Sequence, residues 1–63
     1  MPMVQITMLT GRTAEQKRKL AKRITEALVE EAGARPEAIV VPFHEVSKES
    51  YASGGVLMAD KGK

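Results

Sequence analysis

The chain predicts an α/β fold, a single β-α-β unit with a short C-terminal hairpin. Three observations carry this reading. Met3 to Leu9 reads as a strand, Thr13 to Gly33 carries the start and stop signals of one helix, and Ile39 to Val46 reads as a second strand. At 63 residues the chain is one domain, 1–63, and a small one.

In the first strand Val4, Ile6 and Met8 alternate with Met3, Gln5, Thr7 and Leu9. Both faces carry apolar residues, as in a strand covered on each side. Thr10-Gly11-Arg12 breaks the run, and Thr13-Ala14-Glu15-Gln16 fits a capping box in which Thr13 and Gln16 satisfy each other's free N–H groups. The helix is predicted from Ala14 to Ala32, with Gly33 closing it in a left-handed conformation. Leu20, Ile24, Ala27 and Leu28 form an apolar stripe suited to packing on a sheet. Lys17-Arg18-Lys19, Lys22 and Arg23 are interleaved with Glu15 and Glu26 and read as the wet face, with Glu15 and Lys19 spaced as an i, i+4 pair.

Arg35-Pro36-Glu37 makes a turn into the second strand. Strand, helix and strand with this crossover length imply a right-handed unit and a parallel pair. Pro42 cannot donate to a ladder, which places it on an outward-facing edge position or at a bulge. Ser47 to Ser50 is expected as loop. Tyr51 to Met58 is expected as a hairpin turning at Gly54-Gly55, and Ala59 to Lys63 as a frayed tail.

Composition narrows the function classes. A chain this short buries only roughly 60% of its unfolded surface, so stapling or self-association must supply what the core lacks. There is no cysteine, and His44 is the one histidine, which argues against disulfides and against a protein-only metal site. Lys and Arg total 10 against 8 acidic residues, a net charge of +2, and the aromatics are Phe43 and Tyr51 alone. That is no platform for nucleic acid, and small anions fit better than a polyanion. No apolar run approaches the ~20 residues that span a bilayer. With no signal-peptide pattern at the start, the expected location is the cytoplasm. A two-stranded parallel sheet with one helix leaves open edges and an apolar second face. Copies could join edges into a larger sheet, and such sheets could pack their second faces together.

The amino terminus carries the most specific chemistry. A small residue after Met1 favours removal of that methionine, which leaves Pro2 as a terminal secondary amine. In an apolar pocket near cations the ammonium form is disfavoured, so a neutral amine can act as a base near neutral pH. Taken alone, Met1-Pro2 reads more simply as the start of an edge strand.

The whole pattern resembles 4-oxalocrotonate tautomerase and the small tautomerases with an amino-terminal proline. The resemblance rests on Pro2, the strand after it, Gly11-Arg12-Thr13 with Glu15-Gln16-Lys17, the second strand, and an aromatic residue three positions before Gly54-Gly55. It implies a homohexamer, a trimer of dimers, and a cofactor-free keto–enol tautomerase of small 2-hydroxy-dienoate or enol-acid substrates. Carried over, Pro2 would be the general base and then acid. Arg12 would bind the distal substrate carboxylate, to which a guanidinium fork is suited. Tyr51 would keep the proline pocket apolar. Neither a cofactor nor a metal is implied.

One position departs from the pattern. The family's second arginine, supplied by another subunit to the substrate's carbonyl and carboxylate, falls on Val40. Arg35, His44 and Lys48 are candidate replacements. Loss of such a charge commonly costs about 10²–10³ in rate, so weaker turnover of the diacid or another substrate is expected. Proline-dependent dehalogenases and hydratases add a water-activating carboxylate, for which Glu45 and Glu49 are the nearby candidates. The reading from another class is a non-catalytic oligomer of the same fold that binds small acids or serves as a scaffold.

Overall fold

The computed structural model describes residues 2–62. Strand β1 (Ile6–Leu9) leads into helix α1 (Ala14–Ala32) and then strand β2 (Phe43–Val46), with a hairpin of β3 (Ala52–Ser53) and β4 (Val56–Leu57) beyond it. Short 3₁₀ turns occupy Pro36–Ala38, Lys48–Ser50 and Met58–Asp60. β1 and β2 are parallel, and β3 and β4 are antiparallel in a separate sheet.

The helix begins and ends where its residue types dictate. Thr13 is extended, its Oγ1 accepts the Gln16 N–H at 3.1 Å, and Gln16 Oε1 accepts the Thr13 N–H at 3.0 Å. Gly33 adopts φ 67°, a left-handed conformation that costs a side-chain-bearing residue energy. Thr13→Ala removes half of the capping box and is expected to destabilise the fold by about 1 kcal/mol, read as a lowered thermal midpoint.

The sheet-facing stripe of α1 is rotated from the expected one. Lys17, Ala21, Ile24 and Leu28 are half-buried, whereas Leu20 and Ala27 are exposed. Their i, i+4, i+7, i+11 spacing shows that the stripe begins at Lys17, a residue whose charge disguises its position. Glu15 pairs with Arg18 at 3.8 Å rather than with Lys19.

The strands are shorter than expected, and Pro42 is the reason. Val4 donates to the Val40 carbonyl at 2.9 Å and Ile6 to the Pro42 carbonyl at 3.0 Å, so position 42 turns its nitrogen toward β1. Pro42 therefore lies inside the ladder, not on the outward edge, and the Val4 carbonyl loses the bond that an N–H there would make. Regular pairing runs only over Ile6↔Phe43 to Leu9↔Val46, with an isolated bridge Met3↔Val40 in the same register.

Gly54 and Gly55 turn the hairpin with φ of 60° and 82°, the pair of positive angles that a type I′ turn requires. The Met58 N–H donates to the Tyr51 carbonyl at 2.7 Å, which ties the hairpin's base. The expected fraying does not begin at Ala59: Met58 and Ala59 are half-buried, and Lys61 donates to the Met58 carbonyl at 3.2 Å.

No described residue is buried in a single chain. The accessible surface is 4943 Å², against roughly 4,000 Å² for a folded monomer of this length. The radius of gyration is 14.9 Å, against roughly 11 Å for a compact chain. Lys17 reaches Glu45 from α1, so the face bearing Met8 and Glu45 lies under the helix. The opposite face carries Met3/Val40, Thr7/His44 and Leu9/Val46; Leu9 and Val46 are half-buried, with Leu9 beside Tyr51 and Met58, while Met3, Thr7, Val40 and His44 stay exposed. Met3 and Val40 are 64% and 41% exposed there. One copy of this fold leaves its core open.

Candidate active site

Pro2 stands at the start of the strand leading into β1, partly covered. The Val40 N–H donates to its carbonyl at 3.1 Å, and Val4 donates back to Val40 at 2.9 Å. This two-bond clamp fixes the Pro2 backbone through the neighbouring strand and leaves the ring nitrogen out of the ladder. Met1 and its expected removal lie outside the described residues.

Arg12 and Tyr51 come together at the other end of β1. They line one cleft of about 490 Å³ with Met8, Leu9, Thr10, Gly11 and Met58. Gly11, at φ 124°, bends the chain between the end of β1 and Arg12. The hairpin base, closed by the Met58 N–H on the Tyr51 carbonyl, positions Tyr51, which is 40% exposed. Arg12 has no ion pair or hydrogen bond among the described residues, so its guanidinium is available to an anion. Arg12 also borders a second cleft of about 220 Å³ with Met8, Gln16, Lys17 and Leu20.

The chain does not bring Pro2 to that cleft. The shared register of Met3↔Val40 and Leu9↔Val46 keeps the segment extended. Met3 and Leu9 are thus roughly 20 Å apart at strand rise. This is beyond the span of a small diacid, so within one copy Pro2 and Arg12 cannot grip the same molecule.

None of the candidate replacements for a cation at Val40 is drawn toward Pro2. Arg35 faces solvent with its side chain 82% exposed and pairs with Glu37 at 3.8 Å. His44 sits farther along β2 on the uncovered face, opposite Thr7, and Lys48 opens the 3₁₀ turn after β2.

The pair that sequence reasoning missed is Lys17 and Glu45. Lys17 Nζ donates to Glu45 Oε1 at 2.9 Å, with side chains only 28% and 32% exposed. Lys17 is therefore not on the wet face, and Glu45 is engaged rather than free to activate water. Helical spacing to Ile24 and Leu28 and strand alternation with Phe43 were the available signals for both positions.

The strand-helix-strand unit thus carries a backbone-anchored proline at its start and an arginine–tyrosine cleft at its far end. The family model described as "Tautomerase enzyme" matches residues 2–61. A probable tautomerase of Bacillus cereus is 51% identical over 61 residues, covering 97% of this chain and all of the relative. The 2-hydroxymuconate tautomerase of Bacillus subtilis is 48% identical over 60 residues, 95% of this chain and 97% of the relative. Among solved structures, a heterohexamer 4-oxalocrotonate tautomerase from Chloroflexus aurantiacus superposes with a TM-score of 0.89 at 31% identity, covering 97% and 98% of the two chains.

The chain belongs to the tautomerase family and is an isomerase of the 4-oxalocrotonate tautomerase type. The non-catalytic oligomer gives way to an enzyme. Among the described residues, no helix is long and apolar enough to cross a membrane.

Proposed function

We propose that this protein is a cytoplasmic, cofactor-free keto–enol tautomerase of small 2-hydroxy-dienoate or enol acids, with Pro2 as the proton carrier. The observation that carries the reading is the position of Pro2: the family match begins there, and the Val40 clamp holds it. Once Met1 is removed, the secondary amine takes the enol hydroxyl proton and returns a proton to the chain carbon. An O–H and a C=C become a C=O and a C–H, with no atom gained or lost.

Arg12 holds the distal carboxylate, and Tyr51 walls the cleft against water. Arg12→Ala is expected to raise KM chiefly for dicarboxylic substrates, and an equal loss on mono- and dicarboxylates would contradict that role. Val40 offers no charge to the carbonyl, so turnover of the diacid is expected to be slower than in relatives with an arginine there.

The roughly 20 Å from Met3 to Leu9 makes the working site one that two copies share. The ladder uses the N–H groups of Val4, Ile6 and Thr10, which leaves those of Gln5, Thr7 and Leu9 on an open edge. That edge has no charged residue from Met3 to Thr10 to discourage pairing. Joining two β1 edges about a two-fold axis runs the strands antiparallel and sets Pro2 of one copy beside the Arg12 and Tyr51 end of its partner. Packing the uncovered faces of three such dimers gives the homohexamer. The first test is ultraviolet measurement of 2-hydroxymuconate ketonisation on protein whose intact mass shows Met1 gone. Absence of turnover there would mean another substrate or a silent fold, which turnover of other enol acids would tell apart.

A further inference from the structure

We infer that the Lys17–Glu45 ion pair is a positioning device for Arg12, setting substrate affinity without touching the reacting atoms. The inference rests on the proposed function, in which Arg12 receives the distal carboxylate. Arg12 itself has no polar partner among the described residues, and the residue before it is a glycine at φ 124°. Its placement is therefore inherited from the first turn of α1, to which it is joined through Thr13.

Two sets of bonds hold that turn. The capping box fixes the helix start on itself, through Thr13 and Gln16 at 3.0 and 3.1 Å. The Lys17–Glu45 contact at 2.9 Å ties the same turn to β2, and it is the one side-chain bond between α1 and the sheet among the described residues. It lies under the helix, with about two-thirds of each side chain covered. Such a contact is screened less by salt than a fully exposed pair.

Lys17 also lines the smaller cleft with Arg12. Two cations beside one cleft would repel each other, and the Glu45 carboxylate holds Lys17 down against β2 and neutralises it. Arg12 is left as the uncompensated cation at the junction of the two clefts. Severing the tie frees the helix start to shift and spoils the register of Arg12 with the substrate carboxylate.

The test is steady-state kinetics on 2-hydroxymuconate with Lys17→Met, Glu45→Gln, the double variant, Lys17→Arg and Arg12→Ala, all as assembled, Met1-free protein. The expected result is a rise in KM of about fivefold for each single pair-breaking variant with kcat held within about twofold. The double variant should be no worse than either single, because both remove one interaction. Lys17→Arg, which keeps the pair, should restore wild-type KM.

Glu45→Gln separates positioning from direct attraction. If Lys17 drew the substrate by its own charge, removing its partner would lower KM, and that outcome overturns the inference. Unchanged KM in both single variants, with Arg12→Ala still raising it, overturns the positioning role and leaves the Arg12 reading intact. If Arg12→Ala leaves KM unchanged, the Arg12 reading fails and takes the inference with it.

Discussion

Replacing Pro2 by alanine is expected to reduce 2-hydroxymuconate ketonisation by at least about 10²-fold, the usual worth of a positioned general base. Alanine keeps an amino terminus, so the comparison isolates the secondary amine and the ring's fixed geometry rather than a free nitrogen as such. The clamp uses the carbonyl of residue 2 and the N–H and carbonyl of Val40, none of which the substitution removes. Folding and assembly should therefore survive, and circular dichroism and native mass should match the wild type. Equal turnover in Pro2→Ala would rule out the proline mechanism. Protein that retains Met1 should behave like the alanine variant, since its Pro2 nitrogen is an amide with no basic lone pair.

Thr7→Pro is expected to dissociate the assembly and abolish activity together. The Thr7 N–H projects away from β2, because the neighbouring donors Ile6 and Val4 are the ones that serve the internal ladder. A proline there removes a donor from the open edge and leaves the β1–β2 bonds in place. A single chain has no buried residue among those described and cannot unite Pro2 with Arg12. Loss of edge pairing should thus lower the sedimenting mass and cut turnover about as far as loss of the base itself, by about 10²-fold or more. A Thr7→Pro protein that sediments as wild type and remains active would show that β1 edges are not the joint.

The limits of the helix were legible because their signals are local. Thr13, Gln16 and Gly33 act through bonds and dihedral angles within a few residues of themselves. The Gly54-Gly55 turn was legible for the same reason. The strand ends were not, since the effect of Pro42 depends on which neighbour its nitrogen faces. A shift of one residue in register would have put it on the outer edge.

The amino-acid sequence by itself determined the order of elements, the helix limits, the family resemblance and the identity of Pro2, Arg12 and Tyr51 as the residues to watch. Only the tertiary structure decided how far apart they stand. The parallel register stretches β1 into a spacer between Pro2 and the Arg12–Tyr51 cleft. It likewise decided that Lys17, one of a basic run, turns inward to Glu45 across 28 positions of chain. Both outcomes are long-range, fixed by which strand pairs with which and which helix face the sheet receives. Local patterning of residues holds no record of that choice.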